Sequence, residues 1–220
     1  MVRKKELGRK QRKVAISNLL PQYYLIICEG EQTEKNYFEG IKKRIKAKLN
    51  NDRIEVNIRV EGTGRNTLSL LNYAEEFARK SFNPIGIVWL VYDKDDFPAD
   101  DYDNTQYRAE SLSNDELSFN TAWSNQCIEL WFLLHFIDNK SDLHRSVYNT
   151  KLNEHFRKAG LSGYQKNMEN IFEILCDNGN LIKAIERAKG LYSEGLTPSK
   201  MAPATRVHEL VQELMPYFKD

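Results

Sequence analysis

The sequence lacks any apolar run long enough to cross a bilayer, and its basic N-terminus lacks the apolar stretch that a signal peptide requires. It is also poor in cysteine. Cys28, Cys127 and Cys176 are isolated and do not have the paired spacing of a zinc site or a disulfide framework. These absences argue against a membrane protein, a disulfide-rich secreted protein and a zinc protein. We therefore expect a cytoplasmic protein with reduced thiols and no membrane partner.

The composition is that of a globular chain with an uneven distribution of charge. With 41% hydrophobic and 29% charged residues, the 220 residues suffice for an α/β domain of about 140 residues and a helical appendage. Residues 1–13 hold seven Lys/Arg against one acid, so the rest of the chain has 25 basic and 30 acidic residues. Such a tail can bind a phosphate backbone by counterion release, although basic termini also favour solubility. The candidate nucleic-acid-binding residues of the tail are Arg3, Lys4, Lys5, Arg9, Lys10, Arg12 and Lys13.

Short apolar runs alternate with helical patterns over the first part of the chain. The runs predict strands at 23–28, 54–60, 87–92 and 119–123. The patterns predict helices at 33–48, 66–82 and 127–137, with 98–118 as a polar insertion that holds a short helix. Strands that alternate with helices imply an α/β fold with a mostly parallel sheet flanked by helices.

Beyond residue 138 the strand signal fades. The remaining patterns are helical, at 148–159, 166–176, 180–193 and 204–217. We therefore predict three parts, which are a flexible basic tail at 1–20, an α/β domain at 21–138 and a helical region at 139–220 packed on that domain.

Acidic residues follow three of the predicted strands. Glu29 comes directly after the first strand, Asp93, Asp95 and Asp96 follow the third, and Glu129 lies just beyond the fourth. The carboxyl ends of parallel strands meet at one edge of a sheet, where carboxylates can share a hard cation such as Mg²⁺ or Mn²⁺. In phosphoryl transfer such an ion polarises the phosphate and lowers the pKa of bound water. We expect Glu29, Asp93 and Asp95 to cluster, with Asp96 as the alternative to Asp95.

Each acidic cluster also has a purely structural interpretation. Glu29 could belong to an ordinary strand–helix turn, and residues 93–96 could form a hydrated acidic loop. An ionised carboxylate at Glu129, within an apolar helix, is costly unless it is paired or binds a metal. Alternatively, Glu129 could be a first-turn acid of a helix capped by Asn125. His135 falls about 120° from Glu129 on the helix wheel, so we expect a core histidine rather than a ligand.

Two basic residues outside the tail are further candidates for binding nucleic acid. Lys35, near Glu29, could neutralise a phosphate, or it could be a solvated lysine on a helix face. Arg206 lies at the start of the last predicted helix, where an arginine and the helix N-terminus could bind a phosphate together. An ordinary surface arginine is the alternative.

The motifs resemble those of a known domain. Glu-Gly after the first strand and Asp-x-Asp after a later strand resemble the TOPRIM domain of topoisomerases, primases and certain nucleases, over about residues 22–137. More specifically, residues 27–38 (ICEGEQTEKNYF), 93–96 (DKDD) and 124–135 (SNQCIELWFLLH) resemble blocks of the RloB family, found beside bacterial restriction and phage-defence loci. Residues 203–211 (PATRVHELV) are similar to that family's C-terminal block, so the resemblance spans nearly the whole chain.

The resemblance implies a TOPRIM-like fold that depends on Mg²⁺. It implies that Glu29 is an acid/base or a metal ligand and that Asp93 and Asp95 are metal ligands; we add Glu129 to the candidate catalytic residues because of its place after the fourth strand. The family's setting implies a nuclease of anti-phage defence that acts on RNA or DNA. It also implies a defence-system partner protein, such as an ATPase or restriction subunits.

The chain departs from the topoisomerase pattern after Asp-x-Asp. The broader TOPRIM pattern usually has a glycine a few residues later, whereas here residues 97–99 (FPA) follow and no glycine appears before Gly160. The chain also has no tyrosine-bearing topoisomerase module.

Three classes of function fit these motifs to different degrees. A metal-dependent nuclease is the leading hypothesis. The alternative is a TOPRIM-like nucleic-acid-binding or regulatory module without turnover, which would gain support if a carboxylate pairs with a basic side chain. An aspartyl phosphatase ranks last, because its Asp-x-Asp normally closes the first strand of the fold, whereas residues 93–95 close the third predicted strand.

Overall fold

The computed structural model describes residues 22–49, 56–65, 67–81, 85–95 and 98–219. The strands are β1 (Gln22–Cys28), β2 (Val56–Gly62), β3 (Ile87–Asp93), β4 (Ser118–Asn125) and β5 (Ala204–Thr205). The helices are α1 (Thr33–Leu49), α2 (Thr67–Lys80), α3 (Ala99–Leu112), α4 (Glu129–Leu134), α5 (Arg145–Lys158), α6 (Ile171–Asn178), α7 (Leu181–Lys189) and α8 (Val207–Phe218), with a 3₁₀ turn at Pro198–Lys200. None of the described helices combines the length and the apolar character that a membrane span requires.

The described strands form one five-stranded sheet in the order β2-β1-β3-β4-β5. The first four strands are parallel, and β5 is antiparallel to β4. Cys28 lies opposite Val91, and Asp93 lies opposite Ser124. The carboxyl ends of β1, β3 and β4 therefore meet at one edge of the sheet. The mostly parallel α/β fold with C-terminal helices that the sequence predicts is confirmed.

Both faces of the sheet are covered by helices. Successive strand residues point to opposite sides, so each strand contributes to both cores. On one face Ile26 and Val91 pack in a core with α1, α4 and the helices after residue 138. On the other face Leu25 and Leu90 pack in a core with α2 and α3. The central strand β3 is buried from its second residue onward, as its continuous apolar character predicts.

The polar segment at 98–118 departs from the prediction. We expected an insertion with a short helix, but 14 of its residues form α3. Tyr102, Thr105 and Ala109 give this helix a buried stripe at helical spacing. The stripe has only these few members among acidic and polar residues, so the sequence shows it weakly.

The apolar segment at 127–137 also differs from the prediction, because α4 holds only six residues. All six are buried, between the sheet and the C-terminal helices. The segment is therefore apolar because it is enclosed, and not because it forms a long helix. We did not predict β5, since a pair of residues shows no alternation; its Thr205 lies opposite Ser124.

Three of the residues considered above are core residues, as expected. His135 is buried, and its Nδ1 lies 3.0 Å from the carbonyl oxygen of Trp131. Burial lowers the pKa of this imidazole to about 4, so it is neutral at physiological pH. Cys28 and Cys127 are buried free thiols.

Candidate functional site

Glu29 leaves the sheet at the end of β1 and turns toward β3. Its backbone N–H donates to the carbonyl of Val91 at 2.8 Å, which continues the strand pairing by one residue. Its Oε2 accepts a hydrogen bond from the backbone N–H of Asp93 at 3.2 Å. The Glu29 carboxylate therefore lies at the start of the Asp-x-Asp loop.

Asp93 is the last residue of β3 and is only 8% exposed. Its Oδ2 accepts a hydrogen bond from the backbone N–H of Ile128, just before α4, at 3.1 Å. Its Oδ1 is buried and has no hydrogen-bond partner among the described residues. The alternative in which Asn125 caps this helix is not what the structure shows, because α4 has Ile128 at its N-cap and no side-chain cap, and the Asn125 amide donates to the carbonyls of Pro198 and Ser199.

Asp95 has a backbone φ of +40°, which is uncommon for a residue with a side chain. Its backbone N–H donates to the carbonyl of Gln126 at 3.1 Å, which fixes the loop against the end of β4. Its Oδ1 forms an ion pair with Nη1 of Arg145, on α5, at 3.0 Å. Asp96, the alternative ligand, lies outside the described residues.

Glu129 is 2% exposed, and its partners come from the region after residue 138. The hydroxyl of Tyr164 donates to its Oε1 at 2.9 Å. The Nζ of Lys166 lies 3.6 Å from the same oxygen. The hydroxyl of Thr33 donates to the carbonyl of Lys166 at 2.6 Å and so ties this loop to the start of α1.

Glu34 is a member of the site that our sequence analysis did not single out. It is 6% exposed, and its carboxylate folds back over Gly30, where a Cβ would meet its Oε2 at 1.9 Å. The spacing of Glu29, Gly30 and Glu34 carried this signal, but an acid in the first helical turn usually serves the helix dipole alone. Tyr164, Lys166 and Arg145 have no local signal in the sequence.

The pKa values show how closely these carboxylates interact. Burial raises the pKa of Asp93 well above its usual range, and the charges of Glu34, Glu129, Asp95 and Glu29 raise it further. Burial also raises the pKa of Glu29 to about 8, although the hydrogen bond from Asp93 lowers it. Burial raises the pKa of Glu34 to about 7. Like charges at short range disfavour ionisation, so each carboxylate of the cluster makes its neighbours harder to ionise.

A hard divalent cation fits the donor chemistry of this cluster. Its ligands would be carboxylate oxygens, which Mg²⁺ and Mn²⁺ prefer, and Asp93 Oδ1 is an oxygen with no other partner in the described part of the chain. No three Asp, Glu, His or Cys side chains among the described residues already stand as a metal-binding group. Binding therefore requires rotation of side chains such as those of Glu29 and Asp95, which are only half-buried.

The residues predicted to bind phosphate differ in their surroundings. Lys35 lies half-buried in the first turn of α1, one residue after Glu34. The guanidinium of Arg206 is occupied by a two-fold contact with Glu209, at 2.8 Å and 2.6 Å. The basic residues of the tail lie outside the described residues.

We expect Gly62→Ala to disturb the turn that carries Glu29. A Cβ at Gly62 would lie 2.8 Å from backbone atoms of Glu31 and Gly30, which cannot move aside as a side-chain end can. We expect a loss of about 1–3 kcal/mol in the free energy of unfolding. Gly86→Ala is the control, because the nearest atom to a Cβ there is 4.0 Å away. Urea unfolding measures both; equal stabilities of the two variants would contradict the close approach.

Comparison with known protein families gives a match. The family model of RloB-like proteins matches residues 24–214, which includes all five carboxylates described above. No curated protein and no solved structure matches the chain. The resemblance to the RloB family that the motifs indicated is confirmed.

Proposed function

The chain belongs to the RloB-like protein family, and we propose that it is a nuclease that hydrolyses RNA or DNA phosphodiesters with Mg²⁺ or Mn²⁺. The observation that carries the proposal is the buried Oδ1 of Asp93, which lacks a hydrogen-bond partner among the described residues and lies among four other carboxylates. Such an atom is costly in a folded protein unless a ligand satisfies it.

Each residue of the cluster has a defined task in this proposal. Asp93 and Asp95 would hold the cation, and Glu29 would be a further ligand or take a proton from the attacking water. When bound, the cation supplies Lewis-acid polarisation of the phosphate. Lys166, beside Glu129 at the solvent side of the cluster, would bind a phosphate oxygen of the substrate.

One observation favours the alternative function. Asp95 is paired with Arg145, which is the contact expected of a nucleic-acid-binding or regulatory module without turnover. In a nuclease, Arg145 would exchange this carboxylate for a substrate phosphate, which an arginine can bind through two parallel hydrogen bonds. The two functions therefore differ in whether the chain cleaves nucleic acid.

A cleavage assay tests the proposal directly. The purified chain is incubated with total tRNA, mRNA, single-stranded DNA and duplex DNA, in Mg²⁺, in Mn²⁺ and in EDTA. We expect cleavage of at least one substrate that EDTA stops and that Asp93→Asn, purified in parallel, does not show. Activity that survives in the variant would identify a contaminating nuclease. No cleavage with any substrate or partner would favour the binding module.

The biological setting belongs to the same proposal and is supported by the family alone. We place the chain in the cytoplasm, in bacterial anti-phage defence, with an ATPase or restriction subunits as its partner. The cleavage assay is therefore repeated with such a partner added.

Metal binding should depend on Asp93. Because the candidate ligands are hard oxygens, we expect weak binding of Mg²⁺ or Mn²⁺ and no specificity for zinc. Asp93→Ala should lower the Mn²⁺ affinity about tenfold or more, as measured by titration calorimetry. Asp100→Ala, which removes an exposed carboxylate in the first turn of α3, is the control and should bind as the wild type does. Unchanged affinity in Asp93→Ala would exclude Asp93 as a ligand.

Deletion of residues 1–13 should weaken nucleic-acid binding and leave the chemistry intact. The deletion removes seven positive charges and one negative charge, so the affinity should fall and its salt dependence should flatten. Filter binding across a salt series measures the slope, and cleavage at saturating substrate measures the chemistry. An unchanged slope would show that the tail does not contact phosphates.

A further inference from the structure

Four flat side chains contact one another in a row beside the outer strand β2. The guanidinium of Arg65 lies 4.5 Å from the ring centre of Tyr73. The rings of Tyr73 and Phe77 are 6.0 Å apart, and the guanidinium of Arg59 lies 4.3 Å from the ring centre of Phe77. Arg59 comes from β2, Arg65 from the loop after it, and both rings from α2. We call these four side chains the Arg–aromatic ladder.

The ladder lines a groove that is open to solvent and carries positive charge. The groove has a volume of about 590 Å³, which is within the usual range for a ligand site, and Lys80 also lines it. Its lining holds three cationic side chains and one carboxylate, that of Glu76. Glu76 pairs with Lys80, and Glu61, outside the lining, pairs with Arg59 at 2.7 Å. Among the described residues Arg65 forms no ion pair of this kind, and it stands at the end of the ladder nearest to the carboxylate cluster.

The groove begins beside the candidate active site. The backbone N–H of Gly64 donates to the carbonyl of Glu29 at 2.8 Å, and Arg65 is the next residue. The residues of α2 that line the groove, from Tyr73 to Lys80, span about 10 Å along the helix axis, given the rise of an α-helix. A nucleic-acid strand bound at the carboxylates could therefore continue into the groove past Arg65.

We propose that this groove binds single-stranded nucleic acid, with bases stacked on the ladder and phosphates at Arg65, Arg59 and Lys80. Rings and guanidinium planes are the surfaces on which unpaired bases stack, and arginine and lysine neutralise phosphates. A duplex keeps its base faces covered by neighbouring pairs and cannot use the ladder. The proposal deepens the proposed function, since the bound strand would be the substrate of the carboxylate site.

Substitutions at two residues, Tyr73 and Arg65, separate stacking from charge. Tyr73→Leu removes a ring and should weaken binding of a single strand about tenfold. Arg65→Lys keeps the charge but loses the flat guanidinium; it should weaken binding several-fold with an unchanged salt slope, whereas Arg65→Ala should also lower the slope by about 0.7. Arg79→Ala is the matched control, because Arg79 lies on α2, outside the groove lining, and pairs with Glu75. It should bind within about twofold of the wild type.

The measurement is fluorescence anisotropy in EDTA with short fluorescein-labelled RNA, single-stranded DNA and duplex DNA. Thermal unfolding of each variant shows whether it is folded. If Tyr73→Leu does not fold, Arg65→Lys still tests the proposal, because Arg65 lies in a loop. Weaker binding of either single strand, with the duplex unaffected, supports the groove. The proposal is overturned if Tyr73→Leu and Arg65→Lys bind single strands as tightly as the wild type, or if they lose as much affinity for the duplex as for the single strands. The arginines would then only cover the rings of α2.

The same measurement distinguishes the groove from the proposed chemistry. Because EDTA stops metal-dependent cleavage, binding is read without turnover. Groove-dependent binding by a chain that cleaves nothing would refute the nuclease and keep the groove. Cleavage of single strands that is equally efficient in the wild type and in both groove variants would refute the groove and keep the nuclease.

Discussion

Glu29→Gln is expected to reduce metal-dependent cleavage by about a thousandfold while the affinity for nucleic acid stays nearly unchanged. The amide is close in shape to the carboxylate, and its oxygen can still accept the hydrogen bond that the backbone N–H of Asp93 donates at 3.2 Å. It can neither take a proton nor carry the charge that a cation needs. The substitution therefore removes the chemistry and keeps the fold.

Glu31→Gln is the matched control for this experiment. Glu31 stands two residues further along the same turn, and its side chain is exposed. Gel cleavage and filter binding are measured for both variants in Mg²⁺ and in Mn²⁺. Full cleavage by Glu29→Gln would refute the catalytic role of this carboxylate, and a loss of cleavage in Glu31→Gln would show that the turn itself had been disturbed.

The sequence could predict the sheet edge because strand ends are local features. An apolar run that stops at an acid marks both a strand and the side chain at its carboxyl end, as at Glu29 and Asp93. The parallel order then follows from the helices between the strands. This reasoning needs no knowledge of distant contacts. It places Glu29 and Asp93 at the same edge, and in the structure the Glu29 carboxylate accepts a hydrogen bond from the backbone N–H of Asp93.

The partners of these carboxylates could not be predicted in the same way. The hydroxyl of Tyr164 contacts Glu129 across 35 positions of the sequence. The backbone carbonyl of Lys166 accepts a hydrogen bond from the Thr33 hydroxyl across 133 positions. Such pairs depend on how the C-terminal helices pack, and no periodic pattern records that packing. Glu34 was missed for a different reason, because an acid in a first helical turn has an ordinary explanation that conceals its burial.

The region after residue 138 is continuous with the α/β part at this site. Its helices share a core with one face of the sheet, and β5 adds a strand to the sheet itself. The hydroxyl of Tyr164 supplies a hydrogen bond to a carboxylate that is 2% exposed. An acceptor this deeply buried is costly when its donor is removed, more so if it is charged.

Tyr164→Phe should therefore lower the free energy of unfolding by about 1–3 kcal/mol and slow cleavage, because it takes a hydrogen bond from Glu129 and loosens a loop of the site. In a Glu129→Leu background the hydroxyl has lost its acceptor, so the same substitution should cost little. The double-mutant cycle should give a coupling of about 1–3 kcal/mol. Urea unfolding of the four proteins measures it.

Tyr102→Phe separates this hydrogen bond from the general effect of removing a buried hydroxyl. The ring of Tyr102 is buried, and its hydroxyl has no hydrogen-bond partner among the described residues, so its removal should change stability by less than about 0.5 kcal/mol. A coupling near zero between Tyr164 and Glu129, or equal costs at Tyr164 and Tyr102, would mean that the C-terminal region only covers the sheet. A clear coupling would mean that residues on both sides of position 138 build one site, which a chain cut there could not form.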